Sequence, residues 1–295
     1  AAVALNFRMF LINRESNDNH TKFIILTMQN GELPTKDDCS ECFSPKFYHW
    51  VAAKAMQLAG ISPLNHNFHV NFGAELLNFA AGTLMLLFVA LFITRLPESN
   101  EILKLIAFGM VALNPKLIGI NSQATNDTFG IVLSTLALYF TWRYFNQPQK
   151  RWFVLLLVFL SLGMASKTNI VVTGIAIALA FLVRAWTARI NKGRAWVASG
   201  IFIVAILIQN VINPFTQYIT NTQRYGTPLL TNTGNPVPPK FFEHSTYERP
   251  GVLSVADALF PFKFIDLLKH PLISNGAEYS PNRTSLWTQL YGRAH

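Results

Sequence analysis

Of the 295 residues, 51% are hydrophobic and only 13% are charged, about half the charged share of a water-soluble domain. The formal net charge is +9, but the cations stand at the ends of apolar runs rather than in one patch. That pattern belongs to membrane orientation, and no nucleic-acid motif accompanies it, so a soluble domain and a nucleic-acid binder are both set aside.

The chain starts on an apolar stretch, Ala1–Ile12, too short for a bilayer and read as the tail of a first spanning helix rather than as a signal peptide. Residues 13–72 then form a long polar loop. Within it, Thr21–Gln29 and Tyr48–Leu58 have amphipathic helical spacing, and Phe47, Val51, Met56 and Leu58 suit a membrane surface. Cys39 and Cys42, in Cys-Ser-Glu-Cys, allow a local disulfide or two free thiols; zinc is the minority reading, because a structural site takes four ligands.

Further spans are expected at Leu76–Ile93, Ile102–Leu113, Thr128–Trp142, Trp152–Ser166, Thr168–Val183 and Ala195–Asn213, about seven with the first. Asn114-Pro115 ends or kinks the third. One set of span ends carries Arg95, Arg143, Lys150, Arg151, Arg184, Arg189, Lys192 and Arg194, whereas the opposite set carries Lys116 and Lys167. The first set is therefore expected to be cytoplasmic. The fold class that follows is an all-α integral membrane bundle with amphipathic surface helices in its outer loops. Residues 1–213 form the bundle, and 214–295 a long non-cytoplasmic loop that continues into further helices. In that loop Val252–Leu268 is broken by Asp257, Pro261, Lys263 and Asp266, so it reads as surface-lying.

Four polar clusters fall on the outer side under this topology. Asn17-Asp18-Asn19-His20 offers either a general base with a neighbouring imidazole or a helix N-cap. Ser44–Trp50 combines Lys46, Tyr48 and His49, which suits a sugar or phosphate ligand or an interfacial aromatic belt. Asn121–Asp127 reads as a cavity wall, or as a cap supplied by Asn126 or Asp127. Ser166–Asn169 places Lys167 at headgroup level, to hold a lipid phosphate or simply to snorkel. Asn19-His20-Thr21, Asn126-Asp127-Thr128 and Asn282-Arg283-Thr284 match the N-glycosylation acceptor pattern, which arises often by chance.

The layout of residues 1–213 resembles the polyprenol-phosphate-sugar-dependent glycosyltransferases of the type C fold, in the protein-mannosyltransferase-like and aminoarabinose-transferase-like group. The resemblance rests on Asn17-Asp18-Asn19-His20, Gly31-Glu32-Leu33-Pro34, Pro45-Lys46-Phe47-Tyr48-His49, Asn126-Asp127 and Gly163-Met164-Ala165-Ser166-Lys167. The family often has Asp-Glu where this chain has Asp18-Asn19, which leaves Asp18 to work alone.

The resemblance implies a sugar donor on a polyprenyl phosphate and an acceptor entering from the non-cytoplasmic side of a bacterial inner membrane or endoplasmic reticulum membrane. Asp18 would be the base, and His20, Lys46, Tyr48, His49, Asn126, Asp127 and Lys167 would bind substrate. No cofactor is expected; a divalent metal between Asp18, Asp127 and the histidines is not favoured. The rival readings are a transporter or channel using the same polar groups and a non-catalytic scaffold. No internal repeat supports a transporter, and the polar clusters lie at span ends rather than centres.

Overall fold

The computed structural model describes residues 20–39, 41–63, 67–97, 100–187 and 192–228, with backbone alone at 67, 68, 115 and 192. The Ala1–Ile12 stretch, Asp18 and the loop from residue 229 onward lie outside the described residues. Those described form an all-helical chain.

Helix α1, His20–Asn30, buries His20, Phe23, Ile24, Thr27 and Met28, an i, i+3, i+4, i+7, i+8 stripe. A single 3-10 turn, Lys36–Asp38, leads to α2, Phe47–Leu58, whose inward face is Tyr48, His49, Ala52, Ala53 and Met56. These are the two amphipathic helices expected from spacing. Met56 differs from the surface role read for it: it is 5% exposed and packs beside Gly73. Leu58, at 90%, does face outward.

The bundle proper follows, with α3 at Asn67–Thr94, α4 at Glu101–Ala112 and α5 at Pro115–Asn121. After it come α6 at Asn126–Asn146, α7 at Lys150–Ser166, α8 at Val171–Thr187 and α9 at Lys192–Ile212. A short α10, Tyr218–Tyr225, closes the described chain. Three segments are long and apolar enough to cross a membrane: His69–Thr94, Thr168–Thr187 and Gly193–Ile212. They overlap three of the expected spans, Leu76–Ile93, Thr168–Val183 and Ala195–Asn213. The other three within the described residues form helices outside that group. Helix α4 has 12 residues, about 18 Å of rise, well short of a 30 Å hydrocarbon core. Helices α6 and α7 pair closely in the centre and bury Val132, Leu136, Phe140, Leu156 and Leu160 against Phe181 of α8 and Phe202 of α9. Glycines permit the closest approaches: a Cβ on Gly163 of α7 would stand 3.1 Å from Ile170 and 3.4 Å from Leu133.

A second, smaller core joins α1 and α2 to the start of α3 through Ile24, Met28, Tyr48, Met56, Val70 and Ala74, with Ala124 from the α5–α6 turn. It seats the first loop on one end of the bundle. Segment 213–225 returns to the same end. The Lys46 amide donates to the Phe215 carbonyl at 2.9 Å, and the Phe215 ring meets Phe47 and Trp50. The Tyr225 hydroxyl donates to Asp37 at 2.8 Å. The opposite end gathers Arg95, Arg143, Arg151 and Arg184 on aromatic side chains and main-chain carbonyls. The two-ended sorting of polar clusters and cations seen in the sequence is thus a feature of the folded bundle.

Candidate functional site

The polar end is built on α1, α2 and the first turns of α3. His20 is the first residue of α1 and His49 the third of α2, and their Nδ1 and Nε2 atoms lie 2.8 Å apart. One ring donates and the other accepts, as set by tautomer. Phe23, one turn along α1 from His20, stacks on the His49 ring with centroids 3.7 Å apart. Burial holds the His49 imidazole well below its ordinary value, and charge at His20 and Lys46 acts in the same direction.

Lys46, immediately before α2, is only 3% exposed. Its Nζ donates to the Cys42 carbonyl and lies 4.8 Å from the centre of the Phe23 ring. Burial lowers its pKa to about 7, with Asp38 pulling the other way. The loop that supplies that carbonyl is tied by a Cys39–Cys42 disulfide, so both sulfurs are committed to each other. The half-cystines pack against Phe23 and Leu26 of α1, which brings Lys46, the disulfide loop and His49 around one phenylalanine ring.

Tyr48 is fully buried, edge-on to His49 at 5.1 Å and to Phe129 of α6 at 5.2 Å. It therefore connects the first loop to the α5–α6 turn. That turn is held from α3 by Asn78, whose amide donates to the carbonyls of Gln123 at 2.6 Å and Thr125 at 2.7 Å. Gly82, one turn further along α3, makes room for Asn121, since a Cβ there would lie 2.4 Å from the Asn121 Cγ.

The α6 cap is Thr125, whose hydroxyl accepts the Asp127 amide; neither Asn126 nor Asp127 takes that role. Both are freed for tertiary contacts. The Asn126 amide donates to the Ser166 carbonyl at 3.1 Å and is 3% exposed, which closes that acceptor pattern to glycosylation in the fold. The Asp127 carboxylate forms an ion pair with Lys167. The side chains of Lys167 and Asp127 keep 27% and 35% exposure, so solvent still reaches this pair. Lys167 lies over Gly130, where a Cβ would stand 3.4 Å from its own.

Of the residues read from sequence, His20, Lys46, Tyr48 and His49 form one buried group and Asn126, Asp127 and Lys167 a second, joined through Tyr48, Phe129 and the Asn78-held turn. Asp18 is outside the described residues. Sequence reading misses Asn71, Glu75 and Asn78: it leaves Asn71 to the loop, starts the span one residue after Glu75, and takes Asn78 into an apolar run. Spacing of four and three residues along one helix face, running into an apolar stretch, is the signal that finds them. Among the described residues, no three His, Cys, Asp or Glu side chains converge as a metal site.

An all-helical bundle with three apolar helices of membrane length and a buried polar network at one end defines the class: an all-helical membrane protein. A family model, dolichyl-phosphate-mannose-protein mannosyltransferase, matches residues 42–223, more than half of the chain. The protein belongs to that family and is a membrane glycosyltransferase. No curated protein and no solved structure matches it.

Proposed function

We propose that the protein moves a sugar from a polyprenyl-phosphate carrier to an acceptor on the non-cytoplasmic side of the membrane. Mannose on dolichyl phosphate is the donor named in the family's description. The observation that carries this reading is the half-buried Asp127–Lys167 pair on the end that also holds His20, Tyr48 and His49. It offers a cation beside a polar wall, which suits a phosphate leaving group.

In this reaction the acceptor oxygen forms a bond to the anomeric carbon as its proton passes to Asp18. The anomeric carbon–oxygen bond to phosphate breaks, and the lipid phosphate leaves with the electron pair. Lys167 neutralises that phosphate, exchanging its Asp127 partner for it. Asn126, through Ser166, fixes the main chain from which Lys167 projects. Tyr48 and the histidine pair shape the sugar side, and Lys46 reaches a phosphate by releasing the Cys42 carbonyl. Residues 1–213 serve as the bundle and 214–295 as an outer loop over the same end; the contacts of Phe215 and Tyr225 with the first loop favour this. The reaction as written uses no metal.

The test is transfer of labelled mannose from dolichyl phosphate mannose into protein of host microsomes by the full chain. Wild type transfers label, and Asp18→Asn loses at least about 100-fold, the lower range for a general base, while still eluting as a folded species in detergent. Equal transfer by wild type and Asp18→Asn removes Asp18 as the base, and no transfer by wild type removes the donor.

A further inference from the structure

Glu75 is a carboxylate inside an apolar helix. It lies seven residues into the segment His69–Thr94 and is 2% exposed. Burying an ionisable group at membrane depth costs several kcal/mol, so such a residue needs a purpose that a neutral one would not serve. Its neighbours supply one. Asn71, one helical turn earlier, donates its Nδ2 to Glu75 Oε1 at 2.8 Å. The Thr21 hydroxyl in the first turn of α1 donates to the Oδ1 of that same Asn71, also at 2.8 Å. The order is fixed: carboxylate, amide, hydroxyl.

The direction of this chain depends on the carboxylate. An amide presents an acceptor on one side and donors on the other, and the two ends have nearly the same shape. The Glu75 Oε1 that faces Asn71 accepts. It therefore forces the Asn71 NH2 toward itself and the Asn71 carbonyl toward α1, where Thr21 answers as donor. A glutamine at position 75 could present either end and would leave Asn71 free to turn.

We infer that Glu75 is a positioning residue of the transfer reaction, acting through Asn71 and Thr21 to order the first turn of α1. That turn sets His20 against His49 and begins two residues after Asp18 in the chain. The role rests on the proposed use of Asp18 as the base. It also gives this chain a second carboxylate associated with the first loop, where Asn19 stands in place of a glutamate.

The test uses Glu75→Gln, Glu75→Ala, Thr21→Val and Thr21→Ser in the full chain, in the mannose-transfer assay and by amide hydrogen exchange over residues 20–24. Expected results are a fall in kcat of at least about 10-fold for Glu75→Gln, Glu75→Ala and Thr21→Val, with the donor KM unchanged, as for a misplaced catalytic group. Thr21→Ser keeps the hydroxyl and restores kcat. Glu75→Ala combined with Thr21→Val falls no further than either alone, because both cut one chain. Exchange at 20–24 quickens in the same three single variants and not in Thr21→Ser.

Wild-type kcat in Glu75→Gln and Thr21→Val, additive losses in the double variant, or unchanged exchange at 20–24 each overturn the inference. Exchange does not depend on turnover, so it separates this failure from a failure of the base assignment. If Asp18→Asn is fully active while exchange responds as expected, the ordering stands and the base falls.

Discussion

The two ends of the bundle satisfy most of their polar groups in different ways. At the end that holds α1 and α2, buried amides and hydroxyls bond to main-chain carbonyls and to each other, as Asn78 does with Gln123 and Thr125 and Asn126 with Ser166. At the other end cations lie on ring faces. Arg143 and Arg151 sit 4.6 and 4.4 Å from the Trp152 ring centre, and Arg184 lies 4.6 Å from that of Phe145. The difference teaches which end holds its side chains in fixed positions. Cations stacked on rings anchor a helix end and tolerate water, whereas a buried hydrogen-bonded network fixes side chains in place and is costly to leave half satisfied.

The comparison breaks most sharply at Lys167. Lys167→Met is expected to lower mannose transfer by roughly 100-fold, the loss seen when one stabiliser of developing anionic charge is removed, with helicity by circular dichroism unchanged. Retained transfer would reduce the Asp127–Lys167 pair to a brace between α6 and α7.

Stability at the polar end is tested next at Gly82. Gly82→Ala drives a Cβ to within 2.4 Å of buried Asn121 and should cost about 1–3 kcal/mol, read as a lower Tm in detergent. Gly119→Ala, which meets no atom within 4 Å, is the matched control and should leave Tm unchanged.

Lys46 sharpens the comparison through pH. Its folded pKa, about 7, lies below the unfolded value of 10.5, so between these the unfolded chain holds a proton that the folded chain lacks. Stability contributed at this site therefore rises from pH 7 toward 10.5, by at most about 1.4 kcal/mol per pH unit, and its penalty is complete below pH 7. Lys46→Met should flatten the rise of Tm with pH over that window. An equal slope in both proteins would place the titrating group elsewhere.

The smallest effect belongs to the basic end. Arg151→Ala should cost less than about 1 kcal/mol and leave transfer unchanged, since it removes an exposed cation from one ring face.

Much of this arrangement is one-dimensional and legible in the chain. Apolar run length sets the three membrane-length helices, amphipathic spacing sets α1 and α2, and the placement of arginines separates the two ends. Asp127 and Lys167 are each found as span-end charges, in separate clusters, before any fold is known. Which way a single side chain faces is another matter. Asn126 and Asp127 both read as caps until Thr125 takes the cap and turns them to Ser166 and Lys167.

Lys46 reads as a ready phosphate partner, yet the disulfide loop offers its carbonyl and the Phe23 ring covers the ammonium. Glu75 falls between the loop that ends at residue 72 and the span that starts at Leu76, and only the docking of α1 on α3 shows it at the root of a hydrogen-bond chain. The sequence by itself determined the long helices and the end of the bundle at which His49, Asp127 and Lys167 fall, because length, period and charge are local properties. Tertiary structure alone decided the partners, because a polar group at low dielectric must bond to whatever its packing brings near, and that neighbour is distant in the chain.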